Sequence, residues 1–292
     1  MVNETVKSEQ LFSIGELSSR TQVNTVTIRA WERRYGLLKP QRTAKGHRLY
    51  SEDDVQTIAK IIALVARGVP LGKVKPLLAS DSGSDDLVTE GAEDWQGSID
   101  KLMIAIDQFS SSKTEQQFHN AFSSYPVNIC CEKLIEPLFT QLLQAKGSGA
   151  TYGFAESEFV RYASLRLNGK NTKKNKGLPV TLMAGNSAPL WRLALMALAL
   201  NDLEFSVLFL QRAFSLEAGV ELAAKLSEAH TIFYQDGVWK TPEKQRVTIA
   251  LLENQQLYMC GTAAIVSKVE ADGRIFPDVK SCIQALKQLS VQ

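Results

Sequence analysis

The sequence predicts an α+β multidomain protein in which three differently built regions follow one another. Its 292 residues exceed the usual size of one domain. Its composition, with 45% hydrophobic and 22% charged residues, is that of a globular chain. The apolar spacing changes twice, from short helices with a hairpin, to helices alone, to strands alternating with helices. We expect domains at residues 1–80, 95–176 and 177–292, with an acidic linker rich in Gly and Ser at 81–94.

The first region has the spacing of two short helices joined by a tight turn. Ser13 can cap the first helix, with Glu16 as its capping-box partner. Asn24 or Thr25 can cap the second, whose sequence is TVTIRAWERR, and we expect Val26 on its inner face. Two helices about a four-residue turn predict a helix-turn-helix.

A hairpin follows the second helix. Residues 36–50, GLLKPQRTAKGHRLY, are too punctuated by Pro and Gly for a helix and form two extended runs around a turn at AKG. Ser51 and Asp54 then form a capping box for a helix that ends near Gly68. The first region is therefore predicted to be a winged helix-turn-helix.

The remaining regions differ in their periodicity. Residues 95–176 show helical spacings without strand alternation, as in EKLIEPLFTQLLQA, and predict a bundle of about four helices. Residues 177–292 contain four short apolar runs, LPVTLMAG, EFSVLFLQ, HTIFYQDG and QQLYMCG, separated by helical segments. Parallel strands require crossover helices of this length, so a Rossmann-like α/β domain is predicted.

Basic charge is concentrated in the first region. Residues 1–80 hold 13 Lys and Arg against 7 Asp and Glu, a net charge of +6, whereas residues 81–292 hold 20 against 24, a net charge of −4. This division is typical of a nucleic-acid-binding module joined to a partner domain. Guanidinium groups and short hydroxyls on the second helix suit base edges in the major groove, and cations on the hairpin suit phosphates. The predicted DNA-contacting residues are Thr25, Thr27, Arg29, Arg33, Arg34 and Tyr35 on the helix and Arg42, Lys45, His47 and Arg48 on the wing.

Several other functions lack their sequence signals. The N-terminus has no apolar signal segment, and no apolar run reaches the roughly 20 residues that a bilayer needs, so a cytoplasmic protein is expected. Nucleotide-binding fingerprints and a G-x-S-x-G motif are missing, so we do not expect an enzyme. No C-x-x-C occurs, and neither a metal site nor a disulfide framework is expected from the four cysteines, Cys130, Cys131, Cys260 and Cys282.

Residues 14–50 resemble the N-terminal domain of the MerR family of transcription regulators, and the resemblance continues through Ala79. The form R-A-W-E-R-R-Y-G-L-L-x-P-x-R-T-x-x-G-H-R-L-Y is similar to one branch, which holds cobalamin-dependent light-sensing repressors of the CarH and LitR type and biofilm regulators of the MlrA type. The segment VPLGKVKPLLA is similar to the MlrA type. The resemblance implies promoter DNA as partner and a dimer or higher oligomer, because one helix-turn-helix cannot span two half-sites.

The resemblance also implies where a cobalamin would be held. Cobalamin-dependent relatives carry a Glu-His pair on the bundle and a D/E-x-H-x-x-G motif after the first strand. The loop here, AGNSAPLW, looks vestigial: Gly185 and Asn186 begin it, Ala188 stands at the cobalt-ligating imidazole and Trp191 near the glycine, while Glu156 remains on the bundle. Ala188 has no side-chain lone pair for a metal.

We therefore predict no cofactor, although a mode of binding that needs no protein imidazole stays open. The second half of the chain is then expected to serve oligomerisation, or to sense a signal or a regulatory protein partner. A cobalamin-dependent light-sensing repressor is the alternative.

Overall fold

The structure is a computed structural model that describes residues 11–79, 95–145, 149–171, 177–186, 188–226, 228–269 and 273–289. Its contacts divide the chain into two compact units, Met1–Ala145 and Lys146–Gln292. The predicted linker at 81–94 lies outside the described residues. The division falls inside the stretch 95–176 that we expected to form one bundle, so four of its helices belong to the first unit and one to the second. The four-part domain division stays a prediction.

The first unit begins with four helices and a small antiparallel sheet. In chain order its elements are β1 (Phe12–Ser13), α1 (Ile14–Thr21), α2 (Thr25–Ala30), a π-helical turn (Trp31–Tyr35), β2 (Gln41–Arg42), β3 (Arg48–Tyr50), α3 (Glu52–Ala66) and α4 (Leu71–Ala79). The strands are ordered β1-β3-β2. The Ser13 hydroxyl accepts from the Glu16 N–H, and the Asn24 side chain accepts from the Val26 N–H at 2.9 Å, so both predicted N-caps are confirmed.

The second helix differs in two ways from its prediction. Its α-helical part ends at Ala30 and the chain continues as a π-helical turn to Tyr35, which Gly36 closes in a left-handed conformation at φ 60°. The expectation that Val26 packs inward is wrong, since its side chain is 46% exposed. Ile28 and Trp31 are buried instead, and a residue two positions before Ile28 points to the opposite side of a helix.

The hairpin and the following helix confirm the sequence-based prediction. Gln41 lies opposite Leu49 in an antiparallel register, and the turn reverses at Gly46, whose φ is 80°. The Ser51 N–H donates to Asp54 Oδ2 at 2.9 Å, which forms the predicted capping box of α3. Residues 11–79 are therefore a winged helix-turn-helix.

The rest of the first unit is helical. It consists of α5 (Trp95–Asp107), α6 (Ser111–Ser124), α7 (Val127–Cys130), a π-helical turn (Cys131–Ile135) and α8 (Glu136–Gln144). Apolar residues at helical spacing, such as Leu102 and Ile106 on α5 and Phe118 and Phe122 on α6, are buried and form the interior. Helix α6 contacts α5, α7 and also α2 of the winged domain.

The second unit is a doubly wound α/β domain preceded by a long helix. Its elements are α9 (Gly149–Asn171), β4 (Pro179–Gly185), α10 (Leu190–Asp202), β5 (Ser206–Phe214), α11 (Leu216–Lys225), β6 (His230–Tyr234), α12 (Thr241–Glu253), β7 (Leu257–Cys260), α13 (Thr262–Val266), β8 (Ile275–Phe276) and α14 (Val279–Leu289). The five strands are parallel, in the order β5-β4-β6-β7-β8. The strand order reverses between β4 and β6, which is where such sheets place a ligand beyond their carboxyl ends. The predicted fold class is confirmed.

Helix α10 explains the long apolar run LWRLALMALAL. The helix contacts α9, α14, β4 and β5, and almost every residue from Trp191 to Asn201 is buried. A helix covered on all sides is hydrophobic all round. None of the helices in the described part of the chain is long and apolar enough to cross a bilayer.

Candidate nucleic-acid interface

Residues 25–35, which comprise α2 and its π-helical turn, form a surface helix that we call the reading helix. Arg29 and Arg33 are exposed on it and Thr25 is half-exposed. Buried Ile28 and Trp31 fix the opposite side of this helix in the domain interior. The helix therefore presents two guanidinium groups to solvent on a rigid support, which is the arrangement needed to reach base edges.

Thr27 does not belong to this exposed face. Its side chain is fully buried, and its hydroxyl has no hydrogen-bond partner in the described part of the structure. A side chain enclosed in this way cannot contact DNA without rearrangement of the domain, so we remove Thr27 from the candidate contacts. Tyr35 is half-buried at the end of the helix.

Glu32 connects the reading helix to the wing. Its carboxylate accepts from Arg48 Nε at 2.6 Å and from an Arg42 amino group at 3.4 Å, and its side chain is 13% exposed. Its two partners lie on the two strands of the hairpin. The hydrogen bond that Arg48 donates to Glu32 raises the pKa of the Arg48 guanidinium above its ordinary value. This charged contact holds the hairpin against the helix.

The wing carries the remaining candidates. Lys45 and His47 flank Gly46 at the exposed tip, where the Thr43 N–H donates to the His47 carbonyl at 2.9 Å. A Cβ added at Gly46 would meet nothing within 4 Å, so the tip is open to an approaching backbone. Tyr50 anchors the base of the wing, and its burial raises the pKa of its hydroxyl to about 12.

Trp31 makes a contact that sequence reasoning missed. Its indole N–H donates to the carbonyl of Ser124, the last residue of α6, at 2.8 Å in a buried position. Arg34, predicted to contact DNA, directs a guanidinium nitrogen to the Ser124 hydroxyl at 3.5 Å. No local pattern could reveal the contact, because 93 residues separate the two partners.

Comparison with known proteins identifies this domain. Residues 12–81 match the family described as MerR HTH family regulatory protein. The N-terminal domain belongs to the MerR family. This match confirms the resemblance from which the DNA-contacting residues were predicted. The individual contacts of those residues stay predictions.

Two curated relatives share the MerR-type domain and extend beyond it. The chain is 33% identical over 167 residues to the HTH-type transcriptional regulator MlrA of Salmonella typhimurium, covering 57% of this chain and 66% of that protein. It is 24% identical over 152 residues to the HTH-type transcriptional repressor CarH of Myxococcus xanthus, covering 49% of this chain and 50% of that protein. The matches thus span about two thirds and half of these relatives, and they confirm the predicted branch.

A solved structure also resembles the chain. The monomethylamine corrinoid protein of Methanosarcina barkeri superposes with a TM-score of 0.46 at 14% identity, covering 66% of this chain and 99% of that chain.

At the carboxyl edge of the parallel sheet, Trp191 packs against side chains of α9. Trp191 is 5% exposed, its indole N–H donates to the Tyr152 hydroxyl at 3.1 Å, and its backbone N–H donates to Glu156 Oε1 at 3.3 Å. Burial raises the pKa of the Glu156 carboxyl. A Cβ on Gly185 would lie 2.2 Å from Gln235 Oε1.

These residues do not fit a cobalamin that is held through a protein imidazole. Ala188, at the predicted ligand position, contributes its backbone N–H to the Gly185 carbonyl and has no metal-binding side chain. Trp191 occupies space at the start of α10 that a glycine would leave open. In the described residues, no group of three or more His, Cys, Asp and Glu side chains could hold a metal ion.

A second polar group lies at the same edge. Arg192 donates to the Tyr234 hydroxyl at 3.4 Å, and that hydroxyl donates to Asp236 Oδ2 at 3.1 Å. The other oxygen of Asp236 accepts from the Thr262 N–H at 3.0 Å. Burial raises the pKa of the Tyr234 hydroxyl, so it stays a neutral donor. The network links the start of α10, the carboxyl end of β6 and the start of α13.

Proposed function

We propose that the protein is a sequence-specific, double-stranded-DNA-binding transcription regulator. The observation that carries this proposal is the exposure of Arg29 and Arg33 on one helix while Glu32, between them in sequence, fixes the wing beside that helix. The reading helix enters the major groove, and the wing tip approaches the phosphates.

The candidate residues divide into two roles. Thr25, Arg29 and Arg33 contact base edges, because they are accessible polar groups spaced four residues apart on one face of the reading helix. Arg34 and Tyr35 border this surface at the end of the helix. Phosphate contacts come from the wing residues Arg42, Lys45, His47 and Arg48.

The rest of the chain assembles and controls the DNA-binding unit. Two half-sites require at least two copies, so the protein acts as a dimer or higher oligomer in the cytoplasm. The α/β unit senses a signal or a regulatory protein partner without cobalamin, which the buried Trp191 and the missing imidazole at Ala188 support. It does so without catalysing a reaction.

Selection of duplexes from a random library by the full-length protein tests the proposal. A recurrent operator should emerge, and Arg29→Ala and Arg33→Ala should each lower affinity for it by about tenfold to a hundredfold. Lys60→Ala, which removes one positive charge from an exposed position on α3, is the control and should change it little. Unchanged operator affinity in both arginine variants would show that the reading helix is misassigned.

The similarity to CarH and the doubly wound sheet favour one alternative, a cobalamin-dependent light-sensing repressor. Mixing the purified protein with adenosylcobalamin in the dark, followed by removal of unbound cofactor, distinguishes this alternative from the proposed function. We expect the protein to retain no visible absorbance from the cofactor. A coloured complex whose operator affinity changes on illumination would establish the alternative.

A further inference from the structure

The reading helix is supported from two sides. Glu32 holds the wing on one side. On another side, Trp31 and Arg34 both donate hydrogen bonds to Ser124 at the end of α6. Helix α6 lies outside the winged domain in sequence, yet it belongs to the same compact unit.

The end of α6 offers acceptors that suit the donors of Trp31 and Arg34. The last carbonyls of an α-helix have no partner within the helix, and the Ser124 carbonyl obtains its donor from the Trp31 indole. The end of a helix also carries partial negative charge, which suits the guanidinium of Arg34. Because the indole is fully buried, loss of this bond would leave a donor and an acceptor without water.

The contact leaves the base-reading face free. Arg29 and Arg33 are exposed while α6 meets the same helix through Trp31 and Arg34. Helix α6 can therefore stay in place while the reading helix engages DNA.

We propose that the end of α6 positions the reading helix, with Trp31 as the positioning residue, so that helices outside the winged domain set operator affinity. This inference rests on the proposed DNA-binding function and adds its means of regulation. A change that shifts α6 would tilt or loosen the reading helix and weaken base contacts. The exposed cations, which supply non-specific binding, would be unaffected.

Trp31→Phe in the full-length chain tests the contact, because it keeps an aromatic ring and removes the N–H donor. The matched control is Trp95→Phe, since the indole nitrogen of Trp95 is buried in the same unit without a hydrogen-bond partner in the described residues. We expect Trp31→Phe to lower the ratio of operator to random-duplex affinity by about fivefold, the equivalent of one hydrogen bond. Trp95→Phe should leave this ratio unchanged.

The outcomes separate this inference from the proposed function. A wild-type protein without operator preference refutes the proposed function. A wild-type preference that Trp31→Phe and Trp95→Phe leave equally intact refutes only the positioning role. A higher ratio in Trp31→Phe also refutes it, because α6 would then hold the helix away from DNA.

Hydrogen exchange of the wild-type protein supplies a second test that needs no variant. If α6 supports the reading helix, operator binding should slow amide exchange in the last turn of α6, residues 121–125, by severalfold although no contact of α6 with DNA is proposed. Random duplex should slow it less. Exchange in this turn that is identical with operator, with random duplex and without DNA would overturn the proposal.

Discussion

Replacement of Glu32 by Gln should loosen the wing while the rest of the domain stays folded. The substitution keeps the shape of the side chain but removes the negative charge that faces Arg48 at 2.6 Å and Arg42 at 3.4 Å. The amide also turns one acceptor into a donor, which opposes a guanidinium. The hairpin then loses its charged connection to the reading helix.

The size of this effect follows from the exposure of the partners. The Glu32 side chain is 13% exposed and that of Arg48 25%, so their charge-assisted hydrogen bond is worth about 1.5–2 kcal/mol after some screening by solvent. Arg42, at 53% exposure, adds only a few tenths of a kcal/mol at about 3.4 Å. A total of about 2 kcal/mol corresponds to opening of the hairpin about 30 times more often.

Hydrogen exchange of the wing amides measures this opening. The Thr43 N–H, bonded to the His47 carbonyl, should exchange about 30-fold faster in Glu32→Gln than in the wild type. Glu16→Gln is the control, because its ion pair with Arg20 lies on the surface and should contribute little. Equal exchange of this amide in the two variants would refute the reasoning that Glu32 holds the wing.

Three further predictions concern the wing tip and the α/β unit. Lys45→Ala should weaken binding to all duplexes alike and reduce the salt slope by about 1 without changing the melting temperature; an effect confined to the operator would contradict a phosphate contact. Gly261→Ala should lower the unfolding free energy by at least about 2 kcal/mol more than Gly237→Ala. The two glycines have nearly equal φ values of 98° and 99°, but only a Cβ at position 261 would meet a backbone oxygen, that of Gln235, at 2.5 Å. Urea unfolding compares the two, and equal losses would count against the steric argument. Burial lowers the pKa of His230 below 6.5 in the folded protein. As the pH falls, the His230 side chain is therefore protonated first in the unfolded chain, and the folded state loses stability from about pH 6.5 downward. His230→Phe should make the urea midpoint less sensitive between pH 7 and 5, and an unchanged sensitivity would exclude His230 as the cause.

Local signals predicted most of the first unit. Helix starts at Ser13, Asn24 and Ser51 depend on side chains within three residues of the backbone they cap, and the hairpin turn depends on Gly46. These contacts join residues that are close in sequence, so a short stretch is enough to predict them, and all of them are present in the structure.

What the sequence could not predict depends on distant partners or on very short elements. The sequence predicts that Val26 packs inward, but its side chain is exposed. In a helix of six residues, neighbours from elsewhere in the chain decide which side is buried. Strand β8, with two residues, has too little alternation to be recognised and is defined by pairing to β7. Thr27 carries a residue type that suits DNA, and only its burial shows that it is unsuited to that role.

The bond between Trp31 and Ser124 determines where the chain can be shortened. A fragment that stops at residue 79 would expose an indole that is completely covered in the intact protein, and would invite aggregation or a displaced reading helix. A fragment that continues to Ala145 keeps both halves of the contact. If the chain is cut between residues 79 and 95, the two pieces should accordingly remain associated until they are denatured.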